Sequence, residues 1–174
     1  YRDYGPEDGD PILMVHGLGA QLVHWPQHLI NFLQENNFRP ITYDNRDVGL
    51  SSRFSNTPSF VLDYIKYFFR LPIKSEYKID DMADDGIKLL ETLKIKKAHI
   101  LSTSMGGMIA QIISAMYPEK VKTFTLIAST ASTPSPINAP SKAVREIMLE
   151  RSKNPNASYD EIIKREIKMV SLIG

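Results

Sequence analysis

"HILSTSMGGMIAQIISAMYP", residues 99–118, runs a short apolar strand into an amphipathic helix through a turn of small residues, with Ser104 in the turn. A sharp strand-to-helix turn pushes a side chain out at the carboxyl edge of a sheet. It also aims the helix's first N–H groups at the space beside it. Such a turn is crowded, so the positions two before and two after the serine must be small. Here they are Ser102 and Gly106, and Gly107 lets helix and strand approach further. Where a glycine would be expected, Ser102 adds a hydroxyl that must find a partner. A serine hydroxyl is a weak nucleophile unless it is held in place and deprotonated on attack. Two readings stand side by side: Ser104 as a nucleophile, and Ser104 as a plain helix N-cap.

Working outward, "PILMVHG" (11–17) is an unbroken apolar run that suits a strand buried on both faces. A helix is expected after Pro26, with Trp25, Leu29, Phe32 and Leu33 on one face. "RPITYDN" (39–45) reads as a second strand. "IDDMADDGIKLLETLKI" reads as a helix capped by Asp80 or Asp81, with an apolar stripe of Met82, Gly86, Leu89, Leu90 and Leu93. Strands at 98–102 and 121–129 flank the helix that Pro118 stops. Strands alternating with helices predict an α/β fold, a mostly parallel sheet with flanking helices and right-handed crossovers. The proline-rich "STASTPSPINAPS" marks a boundary. Two domains are expected: residues 1–133 as the N-terminal part of the core, and 134–174 as the start of a helical cap. Within the cap, Ser158-Tyr-Asp-Glu161 has the capping-box pattern and opens a helix with Tyr159, Ile162, Ile163, Ile167, Val170 and Ile173 on one face. Residues 54–78 are rich in aromatics and, with the cap helices, are expected either to wall an acyl pocket or simply to pack a cap on the sheet.

"HGLG", His16 to Gly19, follows the first apolar strand. In a parallel sheet, loops at the carboxyl ends of strands face one crevice, so this loop and the serine turn are expected together. Acyl transfer needs two N–H donors aimed at the developing oxyanion. The backbone N–H groups of Leu18 and Met105 are the candidates. His16, Gly17 and Gly19 support the loop, and His16 is expected to anchor it by hydrogen bonding. Two such loops on two strands are more specific than either alone.

The 174 residues carry 21 basic and 20 acidic side chains, a formal charge of +1. No basic block or stripe stands out, so nucleic acid is not an expected partner. There are no cysteines, which excludes disulfides, a Cys nucleophile and thiolate metal sites. No run of about 18 apolar residues occurs, so no transmembrane segment is expected. Neither metal nor cofactor is expected, and the expected location is the cytoplasm.

The segments "MVHGLG", "YDNRDVGLSS" and "LSTSMGGMIAQ" together resemble the α/β-hydrolase fold superfamily, in its order and at its separations. "YDNRDVGLSSRF" with "IDDMADD" resembles the branch of carboxylesterase-like and aclacinomycin methylesterase-like hydrolases. The resemblance implies Ser104 as nucleophile, Leu18 and Met105 as oxyanion donors, and a cap from about residue 134. It implies a serine hydrolase that cleaves a carboxylic ester, thioester or amide through an acyl-enzyme, and the aromatic segment and cap helices suit a small or medium apolar ester as substrate. Asp44, Arg46 and Asp47 read as loop-ordering residues.

The fold places the triad partners after the nucleophile, acid first and histidine second. The four histidines, His16, His24, His28 and His99, all precede Ser104. His99 lies about 16 Å down its own strand from the turn, out of hydrogen-bond reach. His24 and Trp25 stand at the crevice mouth as candidates for substrate contact. The acid and the histidine are therefore expected beyond residue 174, in a C-terminal remainder of the same protein, and residues 1–174 alone are expected to be inactive. A sheet without its later strands exposes an unpaired edge, so a partner chain or a homo-oligomer is expected. Two other functions remain open: a non-catalytic binding protein on the same fold, and an acyltransferase in which an alcohol replaces water.

Overall fold

The computed structural model describes residues 1–54, 75–130, 141–143, 146–147 and 157–173. The chain divides into two compact units, Tyr1–Ala131 and Ser132–Gly174. In the first, five strands form one sheet: β1 (Arg2–Asp3), β2 (Asp10–Val15), β3 (Phe38–Thr42), β4 (Ala98–Thr103) and β5 (Val121–Ile127). The spatial order is β1-β3-β2-β4-β5. Every pairing is parallel except the short β1 on β3.

The helices α1 (Gln27–Glu35), α2 (Ile79–Thr92) and α3 (Met105–Met116) connect the strands. From β2 the chain first steps outward to β3, then returns to place β4 on the other side of β2. The loops leaving β2 and β4 therefore diverge, and a crevice opens between their carboxyl ends. His16–Gly19 and Ser104 are the residues that leave those two ends.

Side chains alternate across the central strands, and each set finds its own helices. Leu13, Val15, Ile41 and Ile100 pack with Met82, Ala83, Ile87 and Leu90 of α2 and with Ile109, Ala110 and Ile113 of α3. Ile12, Met14 and Leu101 pack on the opposite face with Trp25 and with Ile30 and Leu33 of α1. Both faces of β2 and β4 are thus covered, as the unbroken apolar run of β2 requires.

Several boundaries differ from the sequence reading. The first helix starts at Gln27, so Trp25 precedes it, yet Trp25 is buried in one cluster with Ile30 and Leu33 of that helix. The buried face is Ile30 and Leu33, while Phe32 is exposed. A helix phased from residue 27 turns Phe32 to solvent, whereas a stripe started at Trp25 includes it. Strand β3 ends at Thr42 because the next residues turn into the Asp44 loop. β5 ends at Ile127, since Ala128 has φ 50°, which breaks the extended backbone. The helix α2 begins two or three residues earlier than an Asp80 or Asp81 cap would give, with Lys78 as its N-cap. Asp81 lies in the first turn and accepts a bond from the backbone N–H of Lys78 at 2.7 Å.

At the amino ends of the strands, Asp10, His99, Thr123 and Lys122 tie β2, β4 and β5 together. His99 Nδ1 lies 2.7 Å from Thr123 Oγ1 and its Nε2 3.2 Å from Asp10 Oδ2, and Lys122 Nζ donates to Asp10 Oδ1. This accounts for His99, which is held at the opposite end of the sheet from Ser104. β5 forms an edge of the sheet, with Phe124, Leu126 and Ile127 exposed.

In the second unit, α4 (Tyr159–Ile173) starts as the capping box predicts. Ser158 N donates to Glu161 Oε2 at 2.7 Å, and Glu161 N donates to Ser158 Oγ at 3.4 Å. Tyr159, Ile162, Ile163 and Ile167 of its apolar set are exposed. The aromatic stretch expected to wall a pocket lies mostly outside the described residues. No helix among the described residues is long and apolar enough to cross a membrane.

Burial and surface charge contribute very differently here. Ile100 is fully enclosed in the sheet core, so Ile100→Ala should cost roughly 2–5 kcal/mol. The Asp10 side chain keeps 40% of its exposure, so Asp10→Asn should cost less than about 1 kcal/mol. The hydrogen bond from Lys122 is the main cause holding the Asp10 carboxyl below its ordinary value. That small contribution is present above the ordinary carboxylate range and is lost as pH falls through the folded value. Urea denaturation of both variants checks the contrast. Equal losses would mean the charged cluster, not the core, anchors the strands.

Candidate active site

Ser104 is exposed at the junction of β4 and α3, with φ 51° and ψ −123°. A non-glycine residue held there costs about 1–3 kcal/mol and persists only where its surroundings impose it. Backbone bonds on both sides do so. Ser104 N donates to Ile127 O at 3.0 Å, which ties the turn to β5, and Gly107 N donates to Ser104 O at 2.9 Å, which starts α3. Ser104 occupies the N-cap position of α3, but its side chain makes no cap bond.

The small residues are needed for close backbone approach. A Cβ at Gly106 would lie 2.3 Å from Val15 O and 2.7 Å from His16 O, so α3 begins directly on the exit of β2. A Cβ at Gly107 would meet the side chain of Ser129. Ser102 is fully buried, and its hydroxyl donates to Thr125 O on β5 at 3.0 Å. The hydroxyl that replaces the expected glycine thus finds a partner, and the turn is not blocked.

The loop leaving β2 rests on the serine. A Cβ at Gly17 would lie 3.0 Å from Ser104 Cβ and 3.5 Å from Ser104 Oγ. Gly17 is buried, Leu18 is exposed, and Gly19 takes φ 68°, which turns the loop back. The structure therefore brings the HGLG loop and the serine turn together. It leaves Leu18 and Met105 as the residues next to Gly17 and Ser104.

His16 anchors this loop. Its ring stacks on Trp25 with centroids 4.3 Å apart, and its carbonyl accepts a bond from Asn45 Nδ2 at 3.1 Å. Its Nδ1 lies 3.4 Å from Thr103 Oγ1, and its Nε2 is buried without a partner among the described residues. Burial, and then the nearby His24, push its pKa below the ordinary histidine value, so the ring is neutral near pH 7. His24 is exposed, 6.3 Å from His16 between ring centroids, and its Nδ1 accepts a bond from Gln21 N at 3.1 Å. Trp25 is buried and packs with Ile12, Met14, Ile30, Leu33 and Leu101. Among the described residues no histidine or carboxylate is hydrogen-bonded to Ser104 Oγ.

The loop after β3 is ordered as the sequence suggests. Asp44 accepts bonds from Leu22 N at 2.7 Å and from Leu50 N at 3.2 Å. Asp47 accepts from Phe54 N and from the Tyr77 hydroxyl. Arg46 grips Asp85 of α2 with two bonds of 2.5 and 2.9 Å and lies over the Phe54 and Tyr77 rings. An open cleft lined by Tyr43, Arg46, Phe54 and Asp85 sits there and does not include Ser104. Sequence reasoning missed Asn45, Thr103 and Ser129. All three act through contacts between segments far apart in the chain, and no local pattern announces such contacts.

A family model described as alpha/beta hydrolase fold matches residues 10–165. The chain is 23% identical over 179 residues to rhodomycin D methylesterase of Streptomyces peucetius, covering 94% of this chain and 55% of that protein. It is 29% identical over 132 residues to 3-oxoadipate enol-lactonase 2 of Acinetobacter baylyi, covering 76% of this chain and 41% of that protein. The chain thus spans about half the length of the curated relatives it matches. The structure of 2-hydroxy-6-oxo-6-phenylhexa-2,4-dienoate hydrolase from a Rhodococcus species superposes with a TM-score of 0.66 at 20% identity, over 87% of this chain and 48% of that one, a likeness of fold.

Two outcomes follow from the packing. Gly106→Ala drives a methyl group into backbone oxygens and should cost more than about 2 kcal/mol, whereas Gly17→Ala presses on Ser104 Cβ at 3.0 Å, tighter than ordinary contact, and should cost about 1 kcal/mol. Thermal melts of both variants check the order. The neutral His16 sets a pH dependence. The folded state binds fewer protons than the unfolded one below about 6.5, so stability is complete above that value and falls as pH drops through it. Denaturation midpoints between pH 5.5 and 7.5 should shift less in His16→Gln than in the parent. Identical shifts would assign the effect to other groups.

Proposed function

The chain belongs to the alpha/beta hydrolase fold family, and on that premise we propose that it carries the nucleophile and the oxyanion loop of a serine hydrolase acting on carboxylic esters. The observation that carries the reading is the backbone of Ser104, φ 51° and ψ −123° at the head of α3, with Gly17 in contact with it. A strained, exposed serine at a helix N-terminus is a poor structural choice and a good chemical one.

In this reading Ser104 Oγ attacks the acyl carbon and its proton passes to a base. The carbonyl oxygen becomes an oxyanion that accepts bonds from the N–H groups of Leu18 and Met105. Collapse expels the alcohol and leaves an acyl group on Ser104, and water then releases the acid. Each oxyanion donor contributes about a hundred- to a thousandfold in rate. The first turn of α3 adds its N–H dipoles on the side where negative charge develops. Methylesterase and lactonase relatives support an ester-type acyl substrate. A small apolar substrate fits the reading, and no cofactor is needed for it. In this reading the base and its acid come from outside residues 1–174, a choice supported by the order of the chain, in which every histidine precedes Ser104.

A fluorophosphonate probe applied to the full-length gene product tests this. The probe should add once, at Ser104, and Ser104→Ala should abolish labelling and lower ester turnover by at least about a thousandfold. Labelling at another residue, or none by a folded protein, would sink the reading.

A further inference from the structure

We propose that Thr103, the last residue of β4, is a positioning residue whose hydroxyl latches the β2 exit loop to the serine turn through the imidazole of His16. The inference rests on Ser104 being the nucleophile.

Four contacts define where His16 can go. Its ring is stacked on Trp25 at 4.3 Å, its carbonyl is held by Asn45 Nδ2 at 3.1 Å, and that same carbonyl lies 2.7 Å from where a Cβ of Gly106 would be. The fourth contact is Thr103 Oγ1, 3.4 Å from His16 Nδ1. The first three fix the loop to the turn before α1, to the β3 exit and to α3. Thr103 alone joins it to the residue covalently bonded to Ser104.

The protonation state follows from the surroundings. The ring is neutral, so it carries one N–H. His16 Nε2 is buried and has no partner among the described residues. A buried N–H without an acceptor is costlier than a lone pair without a donor, so the proton is assigned to Nδ1, which donates to Thr103 Oγ1. Removing that oxygen leaves a part-buried donor without its partner and frees the ring to rotate.

The consequence reaches the reacting atoms through two bonds of chain. His16 precedes Gly17, and Gly17 abuts Ser104 Cβ. The Gly17–Leu18 peptide carries the proposed oxyanion donor, so a loop that slides relative to β4 moves that N–H away from the acyl oxygen. Such a shift weakens transition-state stabilisation and leaves substrate binding alone.

The test compares Thr103→Val and Thr103→Ser in the full-length gene product, with the inactivation rate constant (kinact) and binding constant (KI) of a fluorophosphonate measured separately. Thr103→Val should lower kinact by about tenfold with KI unchanged, and Thr103→Ser should recover parent reactivity within about twofold. Thr103→Ala carries the same test where the valine variant does not fold. Parent reactivity in the valine or alanine variant, or failure of serine to restore it, overturns the latch while leaving Ser104 labelled. An unlabelled parent overturns the nucleophile assignment itself.

Discussion

Backbone packed on backbone at the carboxyl ends of β2 and β4 is the contact on which the rest of the first unit depends. α3 can start against Val15 O and His16 O only because residue 106 has no side chain. That approach sets the helix axis, and the axis fixes where Ser104 emerges. The strain at Ser104 is held by bonds to Ile127 and from Gly107, and those bonds exist only while α3 and β5 keep their places beside β4. The turn is therefore a product of the whole central sheet.

The energetic contributions are unequal. Packing of β2 and β4 between α1 on one face and α2 with α3 on the other removes most of their apolar surface from water, and this term dominates. The Arg39–Asp3 pair is bidentate, largely shielded and joins β3 to β1, whereas the more exposed Lys120–Glu91 pair contributes little. The Arg46–Asp85 pair is better placed, since two bonds and two aromatic rings hold one guanidinium. Its effect is local: it joins the β3 exit to α2 and keeps the Asp44–Asp47 loop at the end of the sheet. Near the serine the polar groups act by geometry. Asn45, Trp25 and Thr103 each constrain one side of His16, and a half-buried neutral ring transmits those constraints to Gly17.

Much of this was legible in the sequence, for stated reasons. Period-2 and period-3.6 patterns, with Pro26 and Pro118 as punctuation, gave the strand and helix order and hence the mostly parallel sheet. Ser104, Gly106 and Gly107 were legible because a tight strand-to-helix turn restricts residue size over a few consecutive positions. Element edges were less legible. Phe32 fits an apolar stripe as well as Ile30 does, and only the true first residue of α1 decides between them. Ala128 gives no local sign that its backbone will turn. Contacts between distant segments were not legible at all: the Asn45 amide on His16, the Thr103 hydroxyl at its ring, and Ser129 against Gly107 follow from the folded arrangement.

The structure of the full-length gene product with a phosphonyl group covalently bound to Ser104 Oγ tests the central claim most directly. The account predicts the phosphonyl oxygen between the backbone N–H groups of Leu18 and Met105, with both N···O distances near 2.7–3.1 Å. An adduct whose oxygen points to solvent, or is held by other groups while these two N–H donors stay turned away, would contradict it.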